Sequence, residues 1–127
     1  MTSTTEIVKL NIGGTIFQTT KSTLTKYDGF FKTMLETDVP MIKDDYGAFF
    51  VDRSPKHFDT ILNFMRDGDV ALPSCEREIK EISKEAQYYL LSGLVKLCSS
   101  RVNEIMNQLY SISREHTSNK APLFRLW

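Results

Sequence analysis

The sequence predicts an α+β fold, in which a small β-sheet carries a cluster of α-helices. A glycine pair, Gly13-Gly14, lies between two short β-branched runs and predicts a hairpin near the N-terminus. After a third strand-like run, apolar residues recur at helical spacing through most of the second half of the chain. Strands that come early and helices that come late favour segregated elements over an alternating α/β pattern.

The first predicted element is the hairpin. Val8, Leu10 and Ile12 alternate with polar residues, which is the period of a half-buried strand, and residues 15–20 form the second strand. A phosphate-binding glycine loop is the alternative, but such loops open directly into a helix and carry further residues at fixed spacing. A β-rich run follows Gly14, so we expect the pair to form a turn.

Helices are predicted on both sides of a third strand at residues 48–53. A short helix is expected after Asp28, and a longer one begins at Ser54-Pro55 and ends at Gly68, with serine as the cap and glycine as the stop. Ser92-Gly93 separates two further amphipathic helices. The first of these has its apolar stripe at Ile79, Ile82, Ala86, Tyr89 and Leu90.

Length and composition indicate one domain with ordinary globular content. We divide the 127 residues into a domain at 6–100, an amphipathic helical extension at 101–112 and a flexible tail at 113–127. Sixteen basic residues balance sixteen acidic ones, so no nucleic-acid partner is expected. There is no basic, then apolar, N-terminal signal pattern and no apolar run of about 18 residues. We therefore expect a cytoplasmic protein that does not insert into a membrane.

No pattern in the sequence indicates catalysis or metal binding. The histidines and cysteines are His57, His116, Cys75 and Cys98, and none is closely paired with another. A zinc site needs about four such ligands in close pairs, and a nucleophile elbow needs G-x-S-x-G. We expect no enzyme activity, no cofactor and no metal, and we expect both cysteines to be free thiols.

Tyr88 is the first of three features that suggest a binding surface. Helical spacing places it beside Glu81, Lys84 and Glu85, on the face opposite the apolar stripe. An aromatic residue on a charged face is typical of interfaces, and Leu91 would share the patch. The alternative is that Tyr88 packs on another element of the same chain.

The other two features are a loop and the end of the third strand. The loop at residues 36–47 either folds its apolar side chains onto the core or presents them as a docking edge; these are Val39, Met41, Ile42 and Tyr46. Asp52 and Arg53 follow the apolar part of the strand. They are either a solvated strand end or partners in ion pairs with a neighbouring subunit.

Three segments together resemble one family. VKLNIGGTIFQTTKSTLTK, GAFFVDRSPKHFDTILNFMRDGDVALP and EISKEAQYYLLSGLVKLC are similar to the BTB/POZ fold of the potassium-channel-tetramerisation type, and closest to its soluble KCTD members. The resemblance covers about residues 7–100. It rests on the glycine-pair hairpin, on D-R-x-P before a helix, and on F-x-x-I-L-N-F-x-R-x-G.

The resemblance implies a non-catalytic module that assembles with copies of itself. In that family like chains form closed head-to-tail rings, as pentamers or tetramers, which use two different faces of each chain. By position, one face includes Asn11, Thr15 and Thr20, and the other includes Asp52, Arg53 and Arg66. Some channel-type rings share zinc through a downstream cysteine pair. Here Ser99-Ser100 follows Cys98, so the pair is missing.

Many KCTD proteins are adaptors that bind cullin-3 and recruit a substrate protein to a ubiquitin ligase. The resemblance places the cullin contact on the loop before the third strand and on the aromatic end of the later helix. These positions are Val39, Met41, Ile42 and Tyr46, with Tyr88 and Leu91. The alternative is a homo-oligomerisation module of a channel or receptor auxiliary protein that does not bind cullin-3.

Overall fold

A computed structural model of the chain describes residues 6–117. The elements in order are β1 (Ile7–Ile12), β2 (Thr15–Thr20), α1 (Lys21–Leu24), α2 (Phe30–Glu36), β3 (Phe49–Val51), α3 (Phe58–Asp67), α4 (Glu76–Tyr88) and α5 (Ser92–Thr117). The predicted α+β class is confirmed, since a small mixed sheet is joined to a set of helices that dominate the second half of the chain.

The central strand of the sheet is β1. The strand order is β2-β1-β3, with β1 antiparallel to β2 and parallel to β3. Val8, Leu10 and Ile12 of β1 are all buried, as the alternating pattern predicts. Because β1 is hydrogen-bonded on both edges, it fixes the position of the hairpin and of the segment that follows β3.

The glycine pair forms the hairpin turn, as expected. Gly13 and Gly14 have φ angles of +56° and +108°, and Ile12 pairs with Thr15 across the turn. The Gly14 N–H donates to Oδ1 of Asn11 at 2.8 Å. Gly13 also lies directly against the segment after β3, where a Cβ atom would overlap the carbonyl oxygen of Arg53.

The core lies between one face of the sheet and helices α1 to α5. Its largest fully buried side chains are Tyr89, Phe31, Phe58, Leu10, Ile12, Leu24, Ile61, Leu62, Met65, Ile79, Ile82 and Leu94. Helices α4 and α5 pack closely against each other and carry part of this set. The apolar stripe predicted for α4 is therefore confirmed through Tyr89.

Helix α3 stops where the sequence predicts and begins later. Gly68 has a left-handed φ of +77°, and its N–H donates to the Phe64 carbonyl at 2.7 Å, which ends the helix. The predicted start at Ser54-Pro55 is instead a turn, in which the Lys56 N–H donates to Ser54 Oγ at 3.2 Å. The Phe58 N–H then donates to the Pro55 carbonyl at 3.0 Å, so the serine caps this turn rather than the helix.

The connection between α4 and α5 corrects two predictions. The sequence places Leu90 on the buried stripe and Leu91 on the exposed patch, but Leu90 is 64% exposed and Leu91 is 4% exposed. Helical periodicity fails here because α4 ends at Tyr88 and Leu90 adopts a left-handed φ of +61°. This conformation turns Leu90 outward and brings Leu91 into the core.

Helix α5 is longer than the sequence predicts. It continues through Thr117, whereas the sequence predicts a helix to residue 112 and a flexible tail from 113. No glycine or proline lies between Ile112 and Thr117, so no residue there ends the helix. Residues 118–127 of the predicted tail lie outside the described residues.

The contact at the hairpin turn predicts that alanine lowers the free energy of unfolding by different amounts at Gly13 and at Gly14. Gly14→Ala adds backbone strain alone, because the space that its Cβ would enter is open, and should lower the free energy of unfolding by about 1–2 kcal/mol. Gly13→Ala also forces the turn away from Arg53 and should cost about 3 kcal/mol or more. Urea unfolding of the two variants measures the difference, and equal costs would contradict the packing described for Gly13.

Candidate partner-binding surface

Tyr88 is both exposed and held in place by its neighbours. It is the last residue of α4, and 41% of it is accessible to solvent. Its ring centroid lies 5.4 Å from that of Phe30 and 5.1 Å from that of Tyr89. The Arg53 guanidinium lies 4.5 Å from the ring centroid, within the range of a cation–π contact. Tyr88 thus packs on Phe30 and Arg53 of its own chain and still leaves part of its ring exposed.

Arg53 is engaged within its own chain. Its Nε and Nη2 donate to the two carboxylate oxygens of Glu85 at 3.1 and 2.7 Å, which is the bidentate arrangement. The Arg53 side chain is 25% exposed and that of Glu85 is 12% exposed. The hydrogen bonds from Arg53 to Glu85 raise the pKa of the guanidinium above its ordinary value. Arg53 thus forms an ion pair inside its own chain, a partner that neither alternative from the sequence named.

A buried aromatic layer lies beneath Tyr88. Tyr89 stacks on Phe31 with ring centroids 5.0 Å apart, and it meets Phe58 edge-on at 5.5 Å. Burial raises the pKa of the Tyr89 phenol. Its hydroxyl oxygen is buried with no hydrogen-bond partner among the described residues. This layer gives the end of α4 a rigid base, so Tyr88 projects from packed structure rather than from a free helix end.

We name Tyr88, Arg53, Glu85 and Phe30 the Tyr88 cluster.

The four apolar side chains predicted for the 36–47 loop differ in burial. Met41 is half-buried and packs against the core. Val39, Ile42 and Tyr46 are 51%, 71% and 87% exposed. One member of the predicted set therefore anchors the loop, and three present apolar surface to solvent.

Asp44 organises the tip of this loop. One carboxylate oxygen accepts from the N–H groups of Tyr46 and Ala48, each at 2.9 Å, and the other accepts from Nδ2 of Asn11 at 2.9 Å. The hydrogen bond from Asn11, followed by that from Ala48, lowers the pKa of the Asp44 carboxyl. The Phe50 N–H also donates to the Ile42 carbonyl at 2.8 Å. The exposed loop residues are thus tied to the sheet.

The residues predicted for oligomer contact have mixed surroundings. Thr15 and Asp52 are exposed, whereas Asn11 bonds to Asp44 and Thr20 caps α1 by accepting from the Thr23 N–H. Exposed Arg66 donates to the side chain of Asn63 at 2.9 Å and to the Gln18 carbonyl at 3.4 Å. Arg53 is half-buried and pairs with Glu85 in the Tyr88 cluster.

Sequence reasoning missed Phe30 and Leu90 as parts of this region, and it did not connect Glu85 with Arg53. Glu85 and Tyr88 are three residues apart on one helix, so their shared face is readable from the sequence. The contacts made by Arg53 and Phe30 join distant parts of the chain and leave no local signal. Leu90 is exposed because α4 ends before it, at Tyr88. The nearest sign of this break in the sequence is Ser92-Gly93, which lies further along the chain.

Two general findings bear on function. Within residues 6–117, no group of three or more His, Cys, Asp or Glu side chains is arranged to hold a metal ion. None of the helices in the same range combines the length and the apolar character needed to cross a bilayer.

The fold agrees with a sequence match to a known family. The family model of the BTB/POZ domain matches residues 8–98. This chain belongs to the BTB/POZ family. The matched domain contains the Tyr88 cluster and the 36–47 loop, and it ends within α5, so the distal part of that helix lies outside it.

Several BTB/POZ proteins are similar to this chain over the same domain. "BTB/POZ domain-containing adapter for CUL3-mediated RhoA degradation protein 2" is 42% identical over 97 residues in both Gallus gallus and Homo sapiens, covering 76% of this chain and 31% of each relative. Protein 1 of the same name in Danio rerio is 44% identical over 97 residues, covering 76% of this chain and 29% of the relative. The match thus spans about a third of each relative.

The hydrogen bonds at Asp44 predict that the stability contributed by the 36–47 loop depends on pH. A carboxyl with a lowered pKa in the folded state contributes stability above its unfolded pKa and loses it as the pH falls through the folded pKa. Asp44→Asn should therefore lower the thermal midpoint at pH 7, and the difference from wild type should shrink as the pH falls below the ordinary value of 3.8. Asp45→Asn, at the exposed neighbouring position, is the control and should behave as wild type. A difference for Asp44→Asn that stays constant down to about pH 2.5 would contradict this account.

Proposed function

We propose that this BTB/POZ chain is an oligomeric adaptor that binds cullin-3 and brings a target protein to a ubiquitin ligase. Its role is to hold proteins together and involves no catalysis of its own. Relatives that are more than 40% identical over the domain carry names that describe adapters for CUL3-mediated degradation. Because the match covers about a third of each relative, the proposal concerns the cullin-binding module and not the degraded target. We place this function in the cytoplasm, where the half-exposed Cys75 and buried Cys98 would remain free thiols.

The observation that carries the proposal is the state of Tyr88. It presents 41% of its surface, yet its ring is held by Phe30, Tyr89 and Arg53. Tyrosines of this kind are frequent anchors of protein interfaces, because they supply a large contact area with few torsions to immobilise. A side chain that is already held loses less conformational freedom when a partner binds.

The loop supplies the second part of the proposed contact. Val39, Ile42 and Tyr46 expose apolar surface on a segment that Asp44 fixes to the sheet. We assign these three residues and Tyr88 to the cullin-3 contact, with Met41 as the anchor of the loop. Leu91 is buried, so we leave it out of the proposed contact.

We further propose that copies of the chain assemble head to tail into a closed ring, a pentamer or a tetramer. Thr15 and the neighbouring positions Asn11 and Thr20 would form one face, and the exposed side chains Asp52 and Arg66 would form the other. A ring presents several cullin-3 sites at once. A multivalent target would gain avidity from this arrangement without any new contact.

Removing the Tyr88 ring should weaken cullin-3 binding while leaving the ring of subunits intact. Tyr88→Ala is expected to raise the dissociation constant for an N-terminal cullin-3 fragment by at least about 30-fold, the effect of losing an interface anchor. Calorimetry measures the affinity, and light scattering measures the mass of the assembly.

Tyr110→Ala provides a matched control. Tyr110 is a 52% exposed tyrosine on α5, outside the residues matched by the BTB/POZ family model. This variant should bind cullin-3 as wild type does. Absence of binding by the wild-type domain, or equal affinities for the Tyr88→Ala and wild-type domains, would refute the proposed function.

A further inference from the structure

We propose that Arg53 is a positioning residue for the partner surface, and that it acts by holding the Tyr88 ring in its binding orientation. The effect of Arg53 on cullin-3 affinity rests on the proposed function. Its effect on the orientation of the Tyr88 ring rests on geometry alone. This role of Arg53 also changes the interpretation of the Asp52-Arg53 pair. We assign the arginine, which the resemblance places on a face between subunits, to the support of the Tyr88 surface.

The side chain at position 53 makes two contacts at once, and arginine is suited to both. The edge of the guanidinium donates two hydrogen bonds to Glu85, at 3.1 and 2.7 Å, while the group lies 4.5 Å from the centroid of the Tyr88 ring. Glu85 and Tyr88 are separated by one helical turn, so both of its partners lie on the same face of α4. A lysine ammonium is a point charge and lacks the planar fork that serves both contacts.

The backbone that carries Arg53 is itself fixed. The Arg53 N–H donates to the Val51 carbonyl at 2.9 Å, and the Gly13 N–H donates to the same carbonyl at 2.9 Å. The hairpin turn also packs against the Arg53 carbonyl, with no space for a Cβ on Gly13. The guanidinium therefore extends from a rigid point on the sheet to the last turn of α4.

The end of α4 is where such support has an effect. Tyr88 is the last helical residue, Tyr89 is the C-cap, and Leu90 has a positive φ. Terminal turns of helices open more readily than their interiors. The half-buried Arg53–Glu85 pair connects this last turn to the sheet, so Tyr88 remains in one orientation while exposed.

A neighbouring ion pair offers a control for charge alone. Lys56 Nζ lies 3.1 Å from Glu81 Oε1, one helical turn before Glu85 on α4. The side chains of Lys56 and Glu81 are 62% and 39% exposed, and Lys56 makes no ring contact among the described residues. If Arg53 acted only by placing charge near α4, removal of Lys56 would have a similar effect.

A double-mutant cycle on cullin-3 affinity tests the coupling between Arg53 and Tyr88. In the wild-type background, Arg53→Ala should weaken binding about five- to tenfold. Without Arg53 the Tyr88 side chain is no longer held in the free domain, so immobilising it becomes an added cost of binding. In a Tyr88→Leu background, which keeps an apolar side chain and a measurable affinity, Arg53→Ala should weaken binding less than about twofold. Equal effects in the two backgrounds would overturn the proposal.

Arg53→Lys and Lys56→Ala complete the design. Arg53→Lys keeps the charge and should still weaken binding, which provides a second test if the alanine variant does not fold. Lys56→Ala should bind as wild type does. Wild-type affinity for Arg53→Lys, or a loss for Lys56→Ala equal to that for Arg53→Ala, would also count against the proposal.

The ring signals of Tyr88 in the free domain test the positioning without any partner. In NMR spectra, Arg53→Lys should shift these signals, because the guanidinium no longer lies over the ring, whereas Lys56→Ala should leave them in place. If the wild-type domain does not bind cullin-3 but the shift occurs, the proposed function fails and the positioning stands. If Arg53→Lys leaves the Tyr88 signals unmoved, the positioning is refuted whatever the domain binds.

Discussion

The pairing of β1 on both of its edges is the constraint on which the rest of the structure depends. Antiparallel pairing with β2 places the glycine turn at one end of the sheet, and parallel pairing with β3 brings the residues after β3 to the same end. There Gly13 and Arg53 meet at backbone contact. The position of the Arg53 side chain, and through Glu85 the end of α4, follows from this meeting. A surface on a helix is in this way fixed by the hydrogen bonding of a strand.

The sequence predicts features that depend on neighbours along the chain. The alternation in β1, the glycine turn and the stop at Gly68 are each determined within a few residues, and all are present in the structure. The burial of Ile79, Ile82 and Ala86 follows from helical period alone. The exposure of Tyr88 is predictable for the same reason, since it lies on the opposite face of the same helix.

The predictions that fail need information from elsewhere in the fold. Helical periodicity does not hold past Tyr88, where the chain has already left the helix, and it therefore interchanges Leu90 and Leu91. Ser54 has the sequence pattern of a helix cap, although it stabilises a turn that precedes α3. The pairing of Arg53 with Glu85 also left no local signal, because the two residues are 32 positions apart in the sequence.

The central claim is that an oligomeric BTB/POZ domain presents Tyr88 and the 36–47 loop to cullin-3. Light scattering after size exclusion, on the domain alone and with an excess of an N-terminal cullin-3 fragment, tests this claim most directly. The account predicts that the domain alone has a mass that is a small multiple of the chain mass. With the fragment present, this mass should increase by about one fragment mass for each copy of the chain in the assembly. A monomeric domain, or an oligomer whose mass is unchanged by the fragment, would contradict it.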